Sequence, residues 1–471
     1  MHLRPLSRTS PLPFALALLV ALVPRAEATE RLRVAEGGRY LERADGTPFF
    51  FLGDTAWLLV QRLAAEQTER YLADRARKGF TVIQAVLAHP EGDGDMPNTA
   101  GDVPFADRET LAPDEAYFRH VDAVVARCNA LGMVFGMLPT WGHYWKQVGR
   151  DEPPVLSLSN ARAYGRFLGA RYRDADLIWI LGGDQNVESD AEREVVEALA
   201  AGIREGDGGA HLMTFHPRGP GLSSLRLHDA AWLDFDMIQS SHGALDHDNG
   251  LFVEHDYALS PPKPTVDGEP RYEQIPVGFY FDGYDRHLRF DDDDVRQAAY
   301  WALMAGACGH TYGHNSVWQM WRPGLEPAIL ADVPWWEAIE DPGARQMGLL
   351  RRLFESRPFT LLEPDPGLVV DGPAQRGARV RALRARDGSF AFVYSPRGEA
   401  FTVDKSRIAD QRVREIWYDP RYGVARHFHT TDNTGFQSYA PPSSGRGRDW
   451  VLILESQAAG FPLPAAPEPA Q

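Results

Sequence analysis

Cysteine is nearly missing from this chain: Cys128 and Cys308 are the only two in 471 residues. Neither sits in a CxxC or a Cys/His spacing, which removes a disulfide scaffold, a zinc ribbon and a thiol redox motif as organising features. Cys128 falls mid-helix in the pattern from Val121 to Leu131, and Cys308 opens a late strand pattern, so no disulfide is expected between them. Long apolar runs are equally scarce. The one near the start, Phe14 to Val23, is preceded by Arg4 and Arg8 and followed by Ala26-Glu27-Ala28. That order predicts a secretory signal peptide over residues 1–28, cleaved near Ala28. A membrane anchor is the other reading, but the run is shorter than the roughly 18 apolar residues a span needs, and no later segment is long and apolar enough to cross a bilayer. Positive charge is also in short supply, with 49 Lys and Arg against 65 Asp and Glu. Cleavage would remove three arginines and one glutamate, leaving 46 against 64 and a formal net charge of −18. An acidic, exported protein, periplasmic or extracellular, is poorly suited to nucleic acid or anionic membrane as a partner.

The composition that remains, 44% hydrophobic and 24% charged, suits a soluble chain with core enough for one large domain and a smaller one. From about residue 48, apolar strand-like runs alternate with amphipathic helical patterns. Strands are expected at 49–52, 81–87, 133–138, 177–181, 211–215, 236–239, 263–266 and 308–312. The seventh is the weakest, because Pro261, Pro262 and Pro264 argue against a long central strand. Helices are expected over 66–78, 114–131, 160–173, 191–204, 295–305 and 335–354. Ser159-Asn160 reads as a start signal for the third of these and Asp291-Asp292-Asp293-Asp294 for the fifth. The Asp run also suggests a metal site, but capping and dipole complementation explain it more simply. Eight strand–helix pairs predict an α/β fold, a (β/α)8 TIM barrel over 31–356. After Ser356-Arg357-Pro358 the pattern turns to short alternating strands such as 378–384, 389–394, 416–425 and 450–454. A small C-terminal antiparallel β-sandwich over 358–457 is expected, then a disordered Pro/Ala-rich tail over 458–471.

In such a barrel the chemistry lies at the C-terminal ends of the strands. Two acids stand out there. Asp184 ends Ile178-Trp179-Ile180-Leu181-Gly182-Gly183-Asp184-Gln185-Asn186, and Glu269 ends Pro264-Thr265-Val266-Asp267-Gly268-Glu269. Each follows a glycine that lets the backbone turn sharply and leaves the acid uncovered. Two carboxylates on two strand ends are what glycoside hydrolysis requires; an ion pair with Arg271 or Arg218 is the structural alternative. The same rule selects Asp54 and Trp57, His89, Trp141 with His143, Tyr144 and Trp145, Asn186, His216, His242, and Tyr312 with His314, Asn315 and Trp318. Aromatic rings for C–H faces and polar groups for hydroxyls suit a saccharide pocket. Asp54 reads equally as a cap for the turn after Gly53, and Trp179, mid-strand, reads as core. None of the strand-end histidines stands in an HxH or HExxH spacing, so no metal site and no cofactor is expected.

Four stretches together carry a resemblance: Phe51-Leu52-Gly53-Asp54-Thr55-Ala56-Trp57, the GGDxN run at Gly182 to Asn186, Asp267-Gly268-Glu269-Pro270-Arg271-Tyr272-Glu273, and Gly309-His310-Thr311-Tyr312-Gly313. Over about 31–355 the chain resembles the apiosidase-like family, also known as domain of unknown function 4038, which includes glycoside hydrolase family 140. Its C-terminal part resembles the β-sandwich often found behind that domain and labelled collagen-binding. The resemblance implies a (β/α)8 retaining glycosidase with Asp184 as acid/base and Glu269 as nucleophile, and an activity on apiosyl linkages of plant pectic side chains. Another furanose or pyranose, such as arabinofuranose, is the nearest alternative. A non-catalytic polysaccharide or collagen binder is the alternative of another class.

Overall fold

The computed structural model describes residues 31–149 and 153–464, so the predicted signal peptide lies outside the described residues. Eight parallel strands form the first domain: Phe51–Thr55 (β1), Val82–Val86 (β2), Val134–Leu138 (β3), Leu177–Gly182 (β4), Met213–His216 (β5), Asp236–Gln239 (β6), Thr265–Asp267 (β7) and Gly309–Tyr312 (β8). They pair in the order β5-β4-β3-β2-β1-β8-β7-β6. β5 and β6 close the (β/α)8 barrel through point contacts instead of a ladder, with Asp234 N–H on the Met213 carbonyl at 2.8 Å and Thr214 Oγ1 on the Phe235 carbonyl at 2.7 Å.

The strands read as nearly unbroken apolar runs because both of their faces are buried. Phe51, Val82, Val134, Ile178, Met237 and Val266 point inward and fill the barrel, while Ile83, Phe135, Met137 and Trp179 point outward under the helices. Trp179 is core as expected, its Nε1 donating to Asp207 Oδ2 at 3.0 Å. A small N-terminal sheet of Leu32–Val34, Leu41–Arg43 and Pro48–Phe49 stops the lower end, adding Leu32, Leu41 and Phe49 to the interior. That sheet explains why β1 begins at Phe51 and not at Phe49: Phe49 pairs with Leu41 instead.

Three local expectations are corrected. The helix expected over 335–354 is two, Trp335–Ala338 and Pro342–Glu355, because Pro342 opens a new first turn and cannot continue the old one. Asn160 stands at a helix start but does not cap it; its Oδ1 accepts from Ser157 N–H and its Nδ2 reaches the Glu109 and Val155 carbonyls. The tail departs from disorder as far as it is described. Phe461 packs edge-on against Phe390 with centroids 5.5 Å apart, under the Arg357 guanidinium, and its carbonyl accepts from Arg414. The Asp run does cap: Asp291 accepts from Asp293 and Asp294 N–H, and Arg446 from the second domain lies on Asp291 and Asp294. Cys128 and Cys308 are both free and buried.

The second domain sets a six-stranded antiparallel sheet against a three-stranded one. Period-two alternation divides its side chains between two interfaces. Phe390, Phe392, Tyr394, Ile416 and Ile453 join the barrel's helical layer, where Tyr300 stacks on Tyr394 at 4.6 Å. Their neighbours Ala391, Val393, Trp417 and Leu452 turn the other way into the core between the two sheets. Among the described residues no helix is long and apolar enough to cross a membrane.

Candidate active site

At the upper end of β4 three successive residues take positive φ: Gly182 at 95°, Gly183 at 83° and Asp184 at 59°. Side chains are excluded from the first two by contact as well as by conformation, since a Cβ would lie 2.3 Å from the His216 carbonyl oxygen at Gly182 and 2.8 Å from Gly142 N at Gly183. The turn is pinned by Trp145 Nε1 on the Gly182 carbonyl at 2.6 Å and Gly142 N–H on the Gly183 carbonyl at 2.8 Å. A left-handed aspartate costs on the order of 1–3 kcal/mol. It is held here by its own N–H, which donates to His216 Nδ1 at 3.2 Å.

Beyond β7 the chain passes so close to Met237 that a Cβ on Gly268 would sit 2.6 Å from its sulfur. Gln84 from inside the barrel donates to the Gly268 carbonyl at 3.0 Å, and Glu269 emerges one residue later, 7% exposed. Two imidazoles flank its carboxylate. His242 Nε2 lies 3.1 Å from Oε1 and is hydrogen-bonded to it; His216 Nε2 lies 3.1 Å from Oε2 without meeting the angular requirement of a hydrogen bond. Because His216 Nδ1 accepts from the Asp184 amide, its ring proton belongs on Nε2, facing Glu269. One ring thus ties the backbone of the first acid to the carboxylate of the second.

The two acids share one cleft of about 370 Å³, and their surroundings pull them apart. Burial and the charge of Glu269 push the Asp184 carboxyl up to about 7, against the opposing effects of His216 and Gln239. Burial also disfavours the ionised form of Glu269, but the His216 and His242 imidazoles, each with Nε2 3.1 Å from a carboxylate oxygen, prevail and hold it down at about 2. At neutral pH one acid is poised to carry a proton and the other is a carboxylate, which is the division of labour that acid and nucleophile need. The neighbouring Tyr272 phenol, fully buried beside Glu269, is pushed well above its ordinary value by burial and by that carboxylate. Trp57, Trp141, Trp318, Phe279 and Tyr280 give the cleft its aromatic walls, and Phe281, 58% exposed, packs edge-on against Tyr280.

Of the residues selected from sequence, Asp184, Glu269, Trp57, Trp141, His242 and Trp318 line the cleft, with His216 beneath them. His89 stands behind Trp141, ring centroids 5.6 Å apart, its imidazole lowered to about 4 mainly by burial. Asn186 grips the backbone of Arg218, accepting from its N–H at 3.1 Å, and Arg218 lines the cleft. Four selections are corrected. Asp54 and Tyr312 follow the inward-facing Gly53 and Thr311, so strand alternation turns both outward, away from the cleft. Asp54 is fully buried against Tyr71 and Arg75, and Tyr312 donates to Glu273 at 2.6 Å. His314 is spent on a local cap, accepting from Ser316 N–H at 3.0 Å, and on Asp341 at 2.9 Å. His143 lines a separate shallow depression with Arg108 and Lys146. Tyr272, Gln239, Arg218 and Tyr280 also line the cleft and were not among the residues expected there. Gln239 ends β6 and the strand-end rule applied to it would have found it; Phe279 to Phe281 lie in an irregular loop without periodicity. Among the described residues one acidic cluster, Asp291, Asp293 and Asp294, has oxygens close enough to share a cation, and Arg446 lies over it.

The last acid of the Asp267-to-Glu273 run, Glu273, is structural. Burial first, then Asp341 and Asp292, push the Glu273 carboxyl up to about 8, although the Tyr312 hydroxyl and Gly343 N–H oppose them. Unfolded, it would ionise near 4.3. A carboxyl raised on folding stabilises below its unfolded value and loses that contribution as pH climbs through its folded one. Between about pH 4.5 and 8, therefore, wild-type melting temperature should fall more steeply than that of Glu273→Gln. Parallel melting curves would show that this acid is ionised in the fold.

Residues 35–361 match the family model described as "Apiosidase-like, catalytic domain", and residues 364–455 the model described as "Putative collagen-binding domain of a collagenase". A solved structure named simply glycoside hydrolase is 34% identical over 91% of this chain and 97% of its own, with a TM-score of 0.83. A family 5 glycoside hydrolase from Bacteroides vulgatus ATCC 8482 is 33% identical over 93% and 96%, with a TM-score of 0.85. A family 39 glycoside hydrolase from Bacteroides cellulosilyticus WH2 shares the fold alone, at 10% identity over 86% and 81% with a TM-score of 0.51. No curated protein sequence matches the chain.

Proposed function

The chain belongs to the apiosidase-like catalytic domain family and is a glycoside hydrolase, and from that premise we propose that it cleaves apiosyl linkages of plant pectic side chains by double displacement. Glu269 attacks the anomeric carbon while Asp184 gives its proton to the departing glycosidic oxygen. Asp184, now a base, takes a proton from the water that releases the sugar from Glu269. The observation that carries this reading is the placing of Asp184 and Glu269 in one cleft with His216 and His242 each 3.1 Å from a Glu269 oxygen, which displaces the Asp184 carboxyl upward and that of Glu269 downward. We place its action outside the cytoplasm, after loss of residues 1–28. The aromatic walls suit a sugar ring of any configuration, so arabinofuranose and other sugars belong in the same experiment. The family and the two differently poised acids favour an enzyme over the non-catalytic binder.

Residues 29–471 should be offered aryl glycosides and pectic oligosaccharides carrying apiose, arabinofuranose or common pyranoses, with the first-formed anomer followed by proton NMR. Release of apiose with its anomeric configuration retained is the expected result. An inverted first product would replace double displacement by direct attack of water; release of a different sugar alone would change the substrate and leave the mechanism standing.

A further inference from the structure

The loop after β6, residues 240–249, carries His242 to Glu269, and three sets of groups fix it. Asp267, two residues before Glu269, accepts from Ser240 Oγ and Asn249 Nδ2, both at 2.8 Å. Arg271, two residues after Glu269 and fully buried, donates to the Leu245 carbonyl at 2.9 Å and to the His247 carbonyl. The third set comes from the other domain. Arg381 Nη2 donates to both carboxylate oxygens of Asp248, at 3.0 and 2.9 Å, both residues about nineteen-twentieths buried. It reaches Glu254 at 2.6 Å through Nη1. Its guanidinium lies flat on Gly250, where a Cβ would come within 2.7 Å. Arg379 adds bonds to Asp248 at 3.2 Å and Glu254 at 2.9 Å, and Arg397 pairs with Asp246 at 2.5 Å. Three arginines of the sandwich therefore converge on three acids of this loop and of the helix Gly250–Tyr257 that follows it.

We infer that Arg381 of the C-terminal sandwich is a positioning residue for hydrolysis: by holding Asp248 it fixes the loop that keeps His242 on the Glu269 carboxylate. This rests on the reading of Glu269 as nucleophile. Burying an arginine at a domain interface is costly unless the geometry is fixed on both sides, and here the Arg381–Asp248 pair ends six residues from the catalytic imidazole. The sandwich is then a structural part of the catalytic unit, whatever else its outer surface binds. Four titratable groups face Glu269: Asp184, His216, His242 and Tyr272. Arg381 controls the placing of His242 alone among them, because His216 is held by the Asp184 amide and Tyr272 sits on the chain next to Arg271.

The test is the full-length enzyme with Arg381→Ala, Arg381→Lys and Asp248→Asn, each made alone and in a His242→Gln background. Arg381→Ala should lower kcat about tenfold with KM nearly unchanged. It should also move the acid limb of the kcat/KM profile upward by at least half a pH unit, since Glu269 loses a donor. Arg381→Lys should recover part of both effects. In the His242→Gln background neither effect should reappear. An equal loss in that background, or a folded Arg381→Ala enzyme with wild-type kcat and acid limb, would overturn the inference. If Arg381→Ala does not fold, Asp248→Asn carries the same two readouts with the shape of the side chain preserved, and Arg397→Ala repeats them at a half-exposed pair. Glu269→Gln run alongside separates the failures: if it stays active, the nucleophile reading falls first.

Discussion

Glu269→Gln is expected to lose turnover by roughly 10⁵-fold, the scale on which removal of a nucleophile is felt, while melting within a few degrees of wild type. The amide is nearly the same size and can still accept from His242 Nε2, so packing is preserved; what disappears is the negative charge that attacks. Asp184→Ala should behave differently, and the difference identifies the roles. A substrate whose leaving group needs no proton, such as a dinitrophenyl glycoside, should still form the glycosyl-enzyme, which then accumulates because no base activates water. Added azide, which needs no base, should speed its breakdown and yield a glycosyl azide of retained configuration. In Glu269→Ala the azide enters from the face the carboxylate has vacated and yields the inverted azide. Exchanged outcomes would exchange the two roles. Wild-type turnover in either variant would remove that residue from the chemistry.

What could be read from sequence follows from how few ways a doubly buried strand can be written. Runs such as Leu177 to Leu181 and Val134 to Leu138 are apolar at both parities because a parallel barrel strand is covered on both faces, and so all eight strands show through. The two cleft acids were legible for a different reason: Gly183 and Gly268 precede them where neighbouring backbone or Met237 leaves no room for a Cβ. Strand parity also decides the residues at the strand ends: Gly53 and Thr311 face inward, so Asp54 and Tyr312 cannot line the cleft. The aromatic rim of Phe279 to Phe281 and the arginines of the sandwich that reach Asp246 and Asp248 carry no local signal at all. Their partners lie more than a hundred residues away in the second case, and nothing in a window of sequence joins them.

Asp54→Ala tests that correction and should be felt as instability, not as weakened substrate binding. Its Oδ2 accepts from Arg75 Nε at 2.6 Å and from the Tyr71 hydroxyl, and all three side chains are fully buried. Arg75 also holds Asp74 at 2.8 Å, yet Asp74 is already shared with Arg77 and Lys78, so it does not replace the lost carboxylate. Breaking a buried pair by removing one partner costs about 3–5 kcal/mol, because a charge is stranded in a place that cannot solvate it. For a chain of this size the melting temperature should drop by roughly 3–7 °C. The folded fraction should keep wild-type KM, since the strand turns Asp54 toward the helices and away from sugar. Asp54→Leu combined with Arg75→Met, which removes both charges and keeps volume, should recover much of the loss. A raised KM at undiminished melting temperature would return Asp54 to the cleft; a double variant no more stable than Asp54→Ala would show that hydrogen bonding to Tyr71, and not the stranded charge, is what the strand end depends on.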